Sequence, residues 1–361
     1  MPQKRKFLLF RGTIRLLSLI TLSLLWLSLL AIFIPPHIFP ILGLVTLGLP
    51  VFFIAHTLFL IWYLARGKKY AYLLLITSFF TITSFHSWVS LGSKVTDNEA
   101  SGRDFSVMTF NVRMFNVYEW LDGVNVPNAI AELVNDSLPD ILMIQEFYMF
   151  KQTPEFDFPY QHIHYSNPQQ NFGLAIYSNF PFINKGEVAF EKTEGFNNYF
   201  IYADTEIFGD TVRLINVHLA SFYFDVRDFQ KLKAGNNTEE IQSSIVSISK
   251  SLFKGFKRRS LQVQTLKEFI DASPYPILLC GDMNDVPASY TYRMLNRRLT
   301  DAFAVKGKGI GRTYLETVFP LRIDWVFFSN ENWYVKKYQS VKTESPLSDH
   351  RPVMVRFRVP N

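Results

Sequence analysis

Six short polar clusters interrupt apolar, strand-like runs in this chain. They are Asn111 in VMTFNV, Gln145-Glu146 after ILMI, His218 in LINVHLAS, Gly281-Asp282-Met283-Asn284 after ILLC, Asp324 in RIDWVFF, and Ser348-Asp349-His350-Arg351-Pro352 just before the final apolar run. The residue types are carboxylates, amides and histidines. Gathered at strand ends, such groups suit a hard divalent cation and an anionic phosphate ester. An ester of that charge repels hydroxide, and a cation held by one or two carboxylates neutralises it. A histidine titrating near pKa ~6.5 moves protons at neutral pH, and a neighbouring carboxylate orients it.

The elements that must position these residues read as strands. FSVMTFNV, PDILMIQEF, GLAIYS, YFIYADTEI, TVRLINVHL, YPILLCGD, RIDWVFFS and RPVMVRFRV are short and rich in β-branched and aromatic residues. Helices are predicted over Val126–Val134 and Ser260–Ile270, the latter from the stripe Leu261, Leu266, Phe269 and Ile270. Period-two alternation puts Asn111 on a face with Thr109, Asn216 with His218, and Arg322 with Asp324, opposite the apolar set. Many strands with few helices predict two packed sheets with helices outside, an α/β/β/α sandwich of the α+β kind. His162 and His164 fall in a stretch that reads as loop, and they, His37, His56 and His86 are assigned no role.

The N-terminal part is different. No charged residue occurs between Arg15 and Arg66 or between Lys69 and Lys94. A spanning helix needs about 20 predominantly apolar residues, and three runs, about 16–34, 38–64 and 70–88, are predicted to cross a membrane. The first exceeds the 7–15-residue core of a cleavable leader and two more follow it, so retained anchors are expected. The basic residues Lys4, Arg5, Lys6, Arg11 and Arg15, and then Arg66, Lys68 and Lys69, predict a cytoplasmic N-terminus. Three crossings then put the rest of the chain on the periplasmic or other extracytoplasmic face of a cytoplasmic (inner) membrane. The expected organisation is a membrane anchor over 1–92, a polar linker over 93–103 and a catalytic domain over 104–361.

The net charge of +6 is unevenly shared. Residues 1–100 hold nine Lys/Arg and two acids, which leaves 28 basic and 29 acidic residues in the remainder. The globular part is therefore near neutral and lacks the overall basic footprint of a nucleic-acid binder. The lone cysteine, Cys280, sits in an apolar run and excludes an internal disulfide.

Taken together and in this order, FNV, QE, NVHL, GDMND, RIDW and SDHRPV resemble the endonuclease/exonuclease/phosphatase superfamily over about 104–359. The resemblance implies a magnesium-dependent phosphoesterase, with Mn²⁺ as the alternative ion. It implies Glu146 as the main metal ligand with Asn111 beside it and Asp349 as a further acidic group. Asp282 and Asn284 would orient the attacking water and hold the phosphoryl oxygen, His350 would be the essential histidine with Asp324 as its carboxylate partner, and His218 the second histidine. Arg113 stands where apurinic endonucleases carry an acid, which argues against that branch. Arg322 is read two ways, as a phosphate contact or as a structural ion pair. The expected substrate is a phosphate ester, and the anchor, which keeps the site near a bilayer, favours a lipid headgroup or a membrane-proximal phosphodiester. An extracytoplasmic nuclease acting on DNA or RNA is the alternative, and a catalytically silent membrane-bound binding protein a third reading. No protein partner is inferred. The stretch 222–259, basic residues interleaved with aromatics, reads either as a solvated helix pair or as a surface dipping toward lipid headgroups.

Overall fold

The structure is a computed structural model. It describes residues 2–85, 87–92, 101–166, 171–190, 198–222, 238–317, 319–329, 331 and 333–360. His86, most of the linker (93–100) and residues 223–237 of the basic-aromatic stretch lie outside these.

Four helices come first: α1 (Pro2–Ala31), α2 (Ile41–Leu47), α3 (Leu49–Ala65) and α4 (Tyr70–Phe85). A short strand β1 (Ser90–Leu91) leads out of them and pairs with β11 (Lys308–Gly309). The first large sheet contains β2 (Gly102–Asn111), β3 (Ile141–Tyr148), β4 (Tyr160–Tyr165), β5 (Phe172–Ser178), β13 (Tyr334–Ser340) and β14 (Val353–Pro360), in the order β13-β14-β2-β3-β5-β4. The second contains β6 (Phe182–Ala189), β7 (Tyr199–Ile207), β8 (Asp210–His218), β9 (Ile277–Asp282), β10 (Thr300–Asp301) and β12 (Asp324–Phe328), in the order β10-β12-β9-β8-β7-β6. Within each sheet one pair is parallel, β2 with β3 and β8 with β9, and the other pairs are antiparallel.

Alternation along the strands builds the layers. Phe105, Val107, Met143, Leu214, Leu278, Cys280, Val326 and Val355 fill the space between the sheets. Met108 and Phe110 point outward onto α5 (Val126–Ser137) through Ile130 and Val134. Ile215, Val217 and Leu279 point outward onto α6 (Thr238–Asp271) through Val263 and Leu266, and onto α7 (Tyr290–Asn296) through Tyr292 and Leu295. The expected two-sheet sandwich with outer helices is what forms. A buried amide chain ties its sheets together: Gln145 Nε2 donates to Asn216 Oδ1 at 2.7 Å, and Asn216 Nδ2 donates to Ile144 O and Ala175 O at 2.9 Å each.

Several boundaries differ from expectation, each for a local reason. β2 starts at Gly102, so residues 102 and 103 belong to the sheet and not to the linker: Gly102 pairs with Pro360 and Asp104 with Arg358. His162 and His164 lie in β4, a strand rather than a loop; like β6 and β13 it is at or beside a sheet edge, where weak apolar patterning hides a strand. The helix expected from Ser260 begins at Thr238, so the second half of the 222–259 stretch is helical, as one of its two readings expected, with Ile241, Ile245, Ile248 and Leu252 at helical spacing.

The expected three membrane spans also change. Among the described residues, one helix segment, Leu9–Ala31, is by itself long and apolar enough to cross a membrane. The second run breaks into α2 and α3, bent by 56°. Pro50 lies in the first turn of α3, where its missing N–H costs nothing, while a helix continuous through it would lose a hydrogen bond. The third run is apolar over Tyr70–Ile82 only, and Trp88 turns inward to pack on the sandwich beside Val286 and Ala288.

Candidate active site

The pairing of parallel and antiparallel strands collects the six polar clusters. Parallel pairing of β8 with β9 sets His218 beside Asp282, and antiparallel pairing of β12 with β9 sets Asp324 on the other flank of Asp282. In the first sheet, Asn111 at the end of β2 is registered with Gln145 of β3. His350 precedes β14 and bridges to Tyr314. Residues from both sheets thus meet at one end of the sandwich. A cavity of about 640 Å³ opens there, lined by Glu146, His218, Asp282, Asn284, Asp349 and His350 among others.

Local backbone geometry aims these groups. The register of β3 against β5 shifts between Ile144 and Phe147, and Glu146 takes a left-handed φ of 53°. Such a bulge turns a side chain away from the alternation of its strand. Gly281 has φ 150°, and a Cβ there would collide with the Val217 carbonyl, so only glycine lets β8 and β9 approach next to Asp282. Asn284 is also left-handed, at φ 49°, and its backbone N–H donates to Asp282 Oδ1 at 2.8 Å.

The polar contacts form one continuous set. His350 Nδ1 lies 2.9 and 3.1 Å from the two Asp324 oxygens, which leaves Nε2 3.7 Å from Asp282 Oδ2. Asp324 N–H donates to Thr313 Oγ1. Asn111 Nδ2 donates to Asp282 Oδ2 at 3.0 Å and to Glu146 Oε1 at 3.2 Å, and Asn111 Oδ1 accepts from the Arg113 N–H. His218 Nε2 is 3.4 Å from Asp282 Oδ2 and 3.9 Å from Glu146 Oε1, while its buried Nδ1 has no hydrogen-bond partner among the described residues. Asn284 Nδ2 donates to Leu219 O. Arg113 Nε lies 3.6 Å from Asp349 Oδ2, and Arg113 Nη1 donates to Glu316 at 2.6 Å.

The electrostatics follow from burial and an excess of carboxylates. Burial raises the Glu146 carboxyl, and the neighbouring Asp349 charge adds to this. Burial likewise raises Asp282, with Asp324 contributing and His350 opposing. For His350 burial works against the charge, but Asp324 and then Asp282 outweigh it, so its pKa is raised. Burial and the adjacent His350 push His218 down to about 3, which keeps it neutral.

All of the expected site residues except Arg322 converge here. Arg322 is corrected. Its side chain is 1% exposed and faces away from the cavity, with Nη2 on Asp301 Oδ2 at 2.7 Å and on Ser87 O at 2.9 Å, and its guanidinium 4.3 Å from the Phe303 ring centroid. It is a structural ion pair and no phosphate contact. Asn111 is placed as a donor to two carboxylates, so its oxygen reaches a cation only if the amide turns over. Two residues at the site were not singled out from the sequence. Tyr314, whose ring centroid is 5.1 Å from that of His350, and Glu316 both line the cavity. They lie in an irregular loop, and no periodicity marks them.

The donor set fits a hard divalent ion. Glu146 and Asp349 offer only carboxylate oxygens into a common cavity. A second grouping, Asp282, Asp324 and His350, also brings candidate ligand atoms within 4.8 Å of one another. It fits an ion less well, because His350 Nδ1 is already bonded to both Asp324 oxygens.

Residues 108–350 match the Endonuclease/Exonuclease/phosphatase family, and the chain belongs to it. Members of this family generally hydrolyse phosphate esters and typically use a divalent metal. Residues 6–88 separately match a domain of unknown function. The fold is shared with an endonuclease/exonuclease/phosphatase family protein from Bacteroides thetaiotaomicron, at 16% identity and TM-score 0.51, covering 72% of this chain and 97% of that one. Looser likenesses are the human Nocturnin catalytic domain with bound sulfate (16% identity, 72% of this chain, 96% of that chain, TM-score 0.49) and truncated Caenorhabditis elegans TDP2 (18%, 71%, 98%, TM-score 0.47). No curated protein matches the chain in sequence.

Proposed function

We propose that this chain is a membrane-anchored, divalent-metal-dependent phosphoesterase that hydrolyses a phosphodiester or phosphomonoester by attack of water. The observation that carries this reading is the convergence of Glu146, Asp282, Asp349, His218 and His350 on one cavity, with His350 held by Asp324. Mg²⁺ or Mn²⁺ held by Glu146 with Asp349, and by Asn111 after its amide turns, would neutralise the phosphate and favour expulsion of the leaving oxygen. Asp324 fixes the His350 ring through Nδ1, so Nε2 faces the cavity as the proton-moving atom. Asp282, 3.7 Å from that atom, is placed to orient a water. Neutral His218 can donate to a phosphoryl oxygen, and Asn284 holds the Asp282 loop through its backbone N–H.

The anchor is α1 together with the bent α2–α3 pair and the shorter α4. With the basic clusters cytoplasmic, the sandwich is extracytoplasmic only if α4, whose apolar part Tyr70–Ile82 is shorter than a full span, crosses as well as α1 and the bent pair. A phosphatase reporter fused after residue 100 is then active, whereas activity only of a cytoplasm-specific reporter refutes this orientation. The catalytic test uses the purified full chain on bis(p-nitrophenyl) phosphate, sphingomyelin, phosphoinositides, plasmid DNA and RNA. Mg²⁺-dependent turnover that EDTA and His350→Ala both remove supports the reading. Turnover indifferent to both refutes it, and preferential cleavage of DNA or RNA selects the nuclease alternative.

A further inference from the structure

The catalytic cavity has two unlike walls. One carries the carboxylates and histidines. The other is apolar and is made of Leu47, Phe222, Leu252, Phe256, Val286 and Leu321. Leu47 belongs to α2, which lies in the N-terminal helical unit and outside the region matching the hydrolase family. The unit is held against the sandwich at several points. The His37 backbone N–H donates to Ser260 Oγ at 3.0 Å, Gly43 lies so close to the Phe256 ring that no Cβ would fit, and Ser87 O accepts from Arg322. Leu49 and Trp88 pack with Val286 and Ala288, and Leu47 and Leu321 pack against that cluster.

The helix that supplies Leu47 and the one after it also carry outward-facing apolar side chains: Ile41 of α2 and Val51 of α3 are 50% and 55% exposed. A water-soluble phosphate ester has no use for such a surface, since a polar substrate would leave it wet or have to lose its own water against it. A hydrocarbon chain on the substrate gains from it.

We infer that this wall is a binding site for the hydrocarbon chain of an amphiphilic phosphate ester. The phosphate sits against Glu146 and His350, and the chain runs past Leu252, Val286 and Leu47 toward the surface of α2 and α3. The N-terminal helices are then part of the substrate site as well as an anchor. This inference rests on the phosphoesterase reading of the same cavity.

The test is a homologous series of alkyl p-nitrophenyl phosphate diesters, from methyl to octyl, given to the full chain in nanodiscs. Each methylene buried on the protein is worth roughly fourfold in kcat/KM. The octyl-to-methyl ratio of kcat/KM is expected to exceed about 30 for the wild type. It is expected to fall at least tenfold in Leu47→Gln and in Leu252→Gln, with Leu47→Met close to wild type. Unchanged thermal melting and circular dichroism establish that the variants are folded, and the ratio within one variant is independent of how much of it is active. A ratio near one in the wild type overturns the inference, as does a large ratio that both glutamine variants retain, since the chain would then bind elsewhere. If neither these diesters nor the matching alkyl phosphate monoesters are hydrolysed, the phosphoesterase reading itself falls and this inference falls with it.

Discussion

Two buried ionic clusters lie a few residues apart in sequence, at Arg322 and Asp324, and they behave in opposite ways. Behind the site, Arg322 and Asp301 are 1% and 0% exposed, joined at 2.7 Å, and Tyr292 Oη donates to Asp301 Oδ2 at 3.0 Å. One cation meets one anion and the region is sealed by aromatic rings. At the cavity, Glu146, Asp282, Asp324 and Asp349 face the His350 imidazole and the Arg113 guanidinium, so negative charge is in excess. A balanced pair, closed to solvent, holds the fold. An unbalanced set that opens on a cavity can take up a cation and do chemistry. The same residue types thus serve structure or function according to whether their charges are matched in place.

The comparison can be broken at either cluster. The largest effect is expected on turnover. His350→Ala and Asp282→Ala should each lower kcat/KM on a phosphodiester by about 10²–10⁴ with little change in thermal melting; near-normal turnover in either variant would remove the site assignment. The sealed pair should show the reverse. Arg322→Met leaves Asp301 buried without its partner and should cost about 3–5 kcal/mol of stability, read as a lower denaturant midpoint, with kcat per folded molecule kept. A selective loss of turnover there would mean that Arg322 is linked to catalysis after all.

Smaller effects sharpen the distinction. Added Mg²⁺ should raise the melting temperature of the wild type by an amount equivalent to about 2.7 kcal/mol at a hundredfold excess over Kd, and Glu146→Gln should abolish most of that rise. A third ionic site provides a baseline. The Asp104 carboxyl is held low chiefly by its hydrogen bond from Arg358, with Lys336 adding to it. A carboxyl depressed in the folded state stabilises above its unfolded pKa of about 4, and that stability is lost as pH falls through the lower folded value. Asp104 is partly exposed, so Asp104→Asn should remove less than about 1 kcal/mol at pH 7 and nothing below pH 2. Equal loss at both pH values would show that the pair is not electrostatic.

The contrast also explains what could be read from the chain alone. Asn111, His218, Asp282, Asp324 and His350 were legible because each interrupts an apolar alternation at a strand end, and strand pairing carries such ends to one rim. Arg322 fits the same pattern by period two, yet it precedes β12 and turns back onto Asp301, a partner about twenty residues away that no alternation connects to it. The direction taken by Glu146 depends on a bulge, which one strand cannot reveal without its neighbour. The three apolar runs were evident, and Pro50 is a local signal for the break between α2 and α3, but the inward turn of Trp88 depends on contacts with a sandwich that begins only after residue 100. The packing of α2 on α6 had no local signal at all.

The place of β14 affects how the molecule is made. It lies inside the first sheet, between β13 and β2, and Gly102 of β2 meets Pro360 of β14 across about 250 residues of chain. During synthesis β2 emerges before β14 and waits for it while the other strands of both sheets are translated. Pairing over so great a separation is slow, and for that interval β2 has an open edge able to capture strands of other chains. A nascent chain stalled before Val353 would thus hold all the site residues on a half-built sheet, exposed to proteolysis and aggregation until β14 arrives.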